Sequence, residues 1–128
     1  MKTEISIEFF PPQTPEGTEK LRAVRERLAV LKPEFFSVTF GAGGSTRERT
    51  FSIVKEIAAE GHQAAPHLSC IGSTHANIRE ILGDYIDAGI RRIVALRGDL
   101  PSGMAEAGEF RHANELVEFI RAETGDRF

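Results

Sequence analysis

The sequence of 128 residues contains one cysteine, one tyrosine and no tryptophan. With Cys70 alone, no intrachain disulfide can form, and a reducing, cytoplasmic setting is expected. Basic runs are missing too. Lys and Arg number 16 against 19 Asp and Glu, a net charge of −3. Neither a nucleic acid nor an anionic membrane surface is therefore the expected partner. No apolar stretch approaches the roughly 20 residues that cross a bilayer, and the first residues enter a strand-like run without the longer apolar core of a secretory signal. Low-complexity segments and composition shifts are also lacking, so one domain over residues 1–128 is expected. At 41% hydrophobic and 27% charged residues, that domain has the composition of an ordinary globular chain with a single core.

What is present is a strand–helix pattern repeated four times. Residues 5–10 form a compact apolar run with one acid, closed by Pro11 and Pro12, and read as a strand. Thr14 then suits an N-cap with Pro15 at the first helical position. The stripe Leu21, Val24, Leu28 and Leu31 marks the buried face of that helix, which Lys32 and Pro33 stop. Residues 35–40, rich in aromatic and β-branched side chains, predict a second strand. A glycine-rich turn over 41–44 leads to Ser45 and Glu48, spaced as a capping box, and to a helix with Phe51, Val54, Ile57 and Ala58 on one face. The third unit places a strand at 64–71, despite Pro66, and a helix carrying Ile78, Ile81, Leu82, Tyr85 and Ile86 up to Gly89. The fourth has a strand at 92–97, a loop over 98–111, and a helix with Ala113, Leu116, Val117 and Ile120 before Gly125. Strands alternating with helices predict right-handed βαβ units and a parallel sheet. Two α/β architectures fit: an open doubly wound sheet, or the first four units of a (β/α)₈ barrel of TIM type.

Alternation of side chains along the strands favours the barrel. Ser6 and Glu8 share one face of the first strand, Ser37 and Thr39 one face of the second, and His67 and Ser69 one face of the third. Arg97 and Asp99 follow the fourth strand on the parity of Ile93 and Ala95. Each polar pair lies toward a strand's C-terminal end. An open sheet would bury these groups under helices, at about 1–3 kcal/mol for each left unpaired. A barrel instead brings strand C-termini together at the mouth where active sites form. Glu8, Thr39, His67, Arg97 and Asp99 are thus candidates for one shared site. Taken singly, each is as well explained as a solvated strand-end residue.

Other motif readings are weaker. Gly41, Gly43 and Gly44 resemble part of a dinucleotide-binding loop, but Thr46 replaces the last glycine and no Walker lysine follows. The loop amides could still hold a phosphate at a helix N-terminus, which leaves open a barrel enzyme with a phosphorylated substrate. His67 and Cys70 have metal-like spacing, but a single cysteine without a second His–Cys set argues against zinc. His62, His75 and His112 fall in helix-flanking or loop segments and are expected to be solvated. Arg97, Gly98 and Asp99 spell an adhesion tripeptide, yet directly follow a buried-type strand.

Four segments also resemble, in order and at the right intervals, the signatures of methylenetetrahydrofolate reductases. They are residues 8–12 (EFFPP), 37–42 (SVTFGA) with 45–47 (STR), 66–70 (PHLSC) and 95–101 (ALRGDLP). The resemblance covers nearly the whole chain. It implies a flavin-binding (β/α)₈ catalytic domain with FAD at the C-terminal mouth, reduced by NADH or NADPH. Methylenetetrahydrofolate then takes the nicotinamide's place and is reduced to 5-methyltetrahydrofolate for methionine synthesis. It further implies that Glu8 is the acid that protonates folate N10, opening the five-membered ring to an iminium cation. That role requires an environment that raises a carboxyl pKa of about 4.3, which Phe9, Phe10 and the flavin are expected to supply by desolvation. Asp99 resembles the carboxylate beside flavin and pterin that stabilises this cation. Thr39 resembles a residue at the nicotinamide side of the site, and Phe40 and Ala42 resemble flavin-contacting positions, with Phe40 standing where many relatives have tyrosine. His67, Arg97 and Gly98 resemble further FAD contacts, and Ala113 a small residue near the cofactor. A whole barrel needs about 250 residues. The chain is therefore expected to represent the first half, either as a truncated product or as one partner of an assembly. A homo-oligomer or association with a second half follows as the expected state, and an idle, self-associating half-barrel as the alternative.

Overall fold

The computed structural model describes residues 1–40, 44–99 and 108–128, with backbone alone for 44–46. Four strands and four helices alternate: β1 (Ser6–Phe9), α1 (Pro15–Ala29), β2 (Phe35–Val38), α2 (Gly44–Ala59), β3 (Ala64–Ser69), α3 (His75–Asp87), β4 (Val94–Leu96) and α4 (Ala113–Thr124). The strands are shorter than the apolar runs suggest, because the ladder ends where the chain turns toward each helix.

The sheet is wholly parallel and its spatial order is β1-β2-β3-β4. Every crossover therefore steps one strand in the same direction. Since such crossovers are right-handed, the helices lie on one face. Phe9, Phe36, Val38 and Leu68 of the strands and Val54, Ile57, Ile78, Leu82, Leu116 and Ile120 of the helices share one buried core on that face. A doubly wound sheet would instead reverse its strand order and cover both faces. Phe9 and Phe36 stack with ring centroids 5.4 Å apart, and His62 meets Phe36 edge-on at 5.3 Å, so His62 belongs to the core's margin rather than to solvent.

Local signals explain the helix ends. Thr14 caps α1, its hydroxyl accepting from Gly17 N at 3.0 Å, and Thr74 caps α3 by accepting from Asn77 N at 3.1 Å. Gly89 at φ +77° and Gly125 at +63° release α3 and α4. Helix α2 begins at Gly44, one residue before the expected cap, and the side chain of Ser45 lies outside the described residues.

The α1 stripe differs from the expectation. Leu21 and Leu28 pack on the core, but Val24 and Leu31 are 43% and 58% exposed while Arg25 is buried. The cause lies on the facing helix. Arg25 donates from Nε to Glu60 at 2.9 Å and from Nη2 to Glu56 at 2.9 Å, so the helix turns this cation inward to α2. Ile86 and Val117 also stand at the outer edges of their stripes, half-exposed.

The loop before α4 is tied to α3. Gly108 pairs with Ser73 in an isolated bridge, and Glu109 N donates to Ser73 O at 2.9 Å. The Glu109 carboxylate accepts from the first backbone N–H of α3, at His75, and lies 2.9 Å from His75 Nδ1. The His75 ring sits 4.8 Å from Phe110 and 4.9 Å from Phe119. His75, half-exposed as expected of a solvated residue, thus also ties this loop to α3.

Candidate active site

The face of the sheet away from the helices carries the candidate site. Register places Glu8 opposite Ser37, and Ser37 opposite Ala65. His67 follows Ala65 by two residues and so points the same way, with Val94 beside it on β4. Ser37, His67 and Ser69 are buried, whereas the Glu8 side chain is 54% exposed.

Glu8 and His67 meet: Nε2 lies 3.2 Å from Oε1. Their strands are not neighbours, since β2 runs between them. Two strand spacings amount to about 9.6 Å of backbone, a gap that two long side chains can close only over small residues. Ser37, and Thr39 beyond it, are what β2 presents at that crossing. Burial lowers the His67 pKa below its ordinary 6.5, and the Glu8 carboxylate opposes this more weakly, so the imidazole is neutral at pH 7.

Thr39 lies one residue beyond β2. Its N–H donates to Phe9 O at 2.9 Å, which continues the ladder, and its own carbonyl accepts from the buried Thr50 hydroxyl at 2.7 Å. Both bonds fix its backbone at the strand end.

Phe9 and Phe40 do not enclose the acid. Phe9 lies on the core face, and Phe40 packs against the same core. Phe10 is 76% exposed. The desolvation expected of Phe9 therefore does not come from its ring, because consecutive strand residues face opposite sides. Enclosure of Glu8 depends on what covers the open face.

Strand β4 corrects the parity expectation for Arg97 and Asp99. Its residues on the Glu8 face are Val94 and Leu96, whereas Ile93 and Ala95 pack on the core. Strict alternation would send Arg97 into the core as well. Alternation ends there instead, because Gly98 takes φ +81°. Ser69 Oγ donates to Arg97 O at 2.9 Å, and Ile71 N donates to the same carbonyl at 2.9 Å. These bonds turn the main chain across β3 and leave the side chains of Arg97 and Asp99 exposed at the same end of the sheet. A Cβ on Gly98 would stand 2.0 Å from Ser69 Oγ, so only glycine permits this approach.

Cys70, under the turn, is buried, and its thiol points to the carbonyls of Arg97 and His112, each 3.9 Å away. Burial raises its pKa, which keeps it a thiol. Ala113 opens α4, half-buried just beyond His112. Ala42 and Gly41 lie outside the described residues. Glu8, Thr39 and His67 are thus brought to one face, Arg97, Gly98 and Asp99 to its rim, and Phe40 turns away. The Glu8–His67 contact was not legible in advance. Shared polarity on two strands was the signal, but only the register of the intervening strand shows that the two meet.

The methylenetetrahydrofolate reductase family model matches residues 1–128. The 5,10-methylenetetrahydrofolate reductase of Pectobacterium carotovorum subsp. carotovorum is 47% identical over 127 residues, covering 98% of this chain and 41% of that protein. The enzyme of the same name from Escherichia coli (strain K12) is 48% identical over 118 residues, covering 91% of this chain and 39% of its own length. A protein of Oryza sativa subsp. japonica named probable methylenetetrahydrofolate reductase (NADH) is 36% identical over 99% of this chain and 22% of its own length. The chain spans about two-fifths of the length of these bacterial relatives. By the match along its whole length, the chain belongs to the methylenetetrahydrofolate reductase family.

Proposed function

We propose that these residues form the N-terminal part of a flavin-binding (β/α)₈ barrel that reduces 5,10-methylenetetrahydrofolate to 5-methyltetrahydrofolate in a ping-pong reaction with NADH or NADPH. The observation that carries this reading is a carboxyl group, Glu8, standing half-exposed beside neutral His67 on a sheet face that no helix of the described residues covers. Consecutive parallel strands with helices on one side are the geometry from which such a barrel is built.

The donor set fits a flavin. His67 and Thr39 supply neutral hydrogen-bonding groups at the strand ends, and Arg97 supplies an exposed cation suited to a phosphate or a ring carbonyl. Gly98 brings bare backbone to the same rim. Phe40, whose ring packs on the core, is left to contribute through its backbone, while Ala42 and Ala113 flank the cofactor as small residues. FAD, when bound, accepts a hydride from the nicotinamide and passes it to the folate.

The chain's own residues do the proton and charge work. Glu8 delivers a proton to N10 of the folate, so that the ring opens to a cation able to accept hydride. Covering the open face with cofactor and substrate removes water from the half-exposed carboxyl and favours its protonated form. Asp99 offers a negative charge at the rim, which stabilises the cation as it forms.

Two experiments test this reading. Incubation with FAD followed by gel filtration should leave the flavin's visible spectrum on the protein; protein free of flavin at every concentration would support the idle, self-associating half-barrel instead. That second reading draws on β1 and β4, each of which has one strand neighbour in the sheet. In the flavin-loaded protein, Glu8→Gln should leave flavin reduction by NADH or NADPH intact and abolish reduction of the folate. A parallel loss of both would remove Glu8 from the acid's role.

A further inference from the structure

We infer that His67 is the positioning residue of Glu8: its Nε2 stands against Oε1 of the carboxyl group at 3.2 Å and thereby aims the other oxygen at the substrate. The inference rests on the reading of Glu8 as the acid and adds a role for His67 separate from contact with a cofactor. Its basis is geometric. The acid stands on β1 with its side chain 54% exposed. His67 comes from the interior strand β3, whose residues are all buried, so its ring is held by packing. A buried ring thus meets an exposed carboxyl group at 3.2 Å.

The choice of histidine has a physical reason. A lysine or arginine in its place would favour the ionised carboxylate, depriving an acid of its proton. A neutral imidazole offers a polar contact and no charge. Among the described residues, the charged group facing His67 is Glu8 from β1; β2 contributes the uncharged Ser37, with Thr39 just beyond it, and β4 the apolar Val94 and Leu96. Burial keeps the ring neutral in this setting, since it holds the pKa down.

The contact itself is tested first, by following the ring resonances of His67 with pH in isotope-labelled protein. Replacing the exposed Glu8 by glutamine should lower the His67 midpoint, since it removes the carboxylate that favours the charged ring. An unchanged midpoint would overturn the inference without touching the role of Glu8 as acid. The second test compares His67→Gln with His67→Asn in flavin-loaded protein. The glutamine amide reaches about as far as imidazole Nε2, whereas the asparagine amide stops near the place of Nδ1. His67→Asn should slow the folate half-reaction about tenfold or more beyond any change in flavin reduction by the nicotinamide, and His67→Gln should recover most of that difference. Equal losses in both half-reactions, or no rescue by glutamine, would assign His67 to the cofactor or to the fold alone. If neither variant retains flavin, the midpoint comparison in the Glu8 variant still decides.

Discussion

Replacing Gly98 by alanine tests whether the turn after β4 is held as closely against β3 as the geometry requires. The new Cβ would lie 2.0 Å from Ser69 Oγ, 2.9 Å from Ile71 Cγ2 and 3.2 Å from Ser69 Cβ, on a backbone at φ +81°. The left-handed backbone alone costs alanine about 1–2 kcal/mol. The hydroxyl must also swing aside, breaking its 2.9 Å bond to Arg97 O. Ser69 is buried, so the freed hydroxyl loses about 1–3 kcal/mol. The lower part of that range applies, because Arg97 O keeps the N–H of Ile71 at 2.9 Å. A total of about 2–4 kcal/mol follows, equivalent to a melting temperature lowered by roughly 10–20 °C. Thermal unfolding followed by circular dichroism measures it. The decisive variant is the double one. Ser69→Ala removes the atom in the closest clash, so Gly98→Ala should cost at least about 1 kcal/mol less in that background. Strict additivity within about 0.5 kcal/mol, or a single-variant cost below that figure, would refute the close approach.

Three further outcomes are expected. Arg25→Ala should lower stability by about 2–3 kcal/mol in urea titration, less than for a fully buried pair because the side chains of Glu56 and Glu60 are 28% and 42% exposed and can rehydrate; Arg25→Met, which keeps the apolar stem, should lose about half as much. Thr50→Val should cost about 1–2 kcal/mol, since a buried hydroxyl bonded at 2.7 Å to Thr39 O is replaced by a methyl group; flavin affinity should fall with it through displacement of Thr39, and unchanged stability would contradict the bond. Stability should also respond to His67. Because its folded pKa lies below 6.5, the unfolded chain binds the extra proton first, so this contribution is complete above pH 6.5 and is lost as pH falls toward the lowered folded value. Stability curves from pH 7.5 to 5 should therefore be flatter for His67→Gln than for the parent, and an equal slope would show that the ring is not held neutral.

Much of this protein is determined locally. Thr14 with Pro15, the apolar spacing of α3, and Gly89 and Gly125 state where helices begin and end, because caps and glycine turns act over three or four residues. The polar parity of Glu8, Ser37, His67 and Ser69 likewise follows from strand geometry alone. The four segments that carry the family resemblance also fall at strand ends.

Other features depend on which elements meet. Arg25 turns inward only because α2 brings Glu56 and Glu60 opposite it, a pairing 31 and 35 residues away that no helical period contains. Strand β4 breaks the parity rule because hydrogen bonds from β3 capture Arg97 O and Gly98 allows the chain to turn. Phe9, adjacent to Glu8 in sequence, is removed from it by the pleat, whereas His67, 59 residues on, is brought to 3.2 Å by the register of β2 between them. The amino-acid sequence determined that an acid and a histidine would face one side of a parallel sheet; tertiary pairing decided that they touch, since strand register is a sum of contacts over the whole sheet and is written in no single segment.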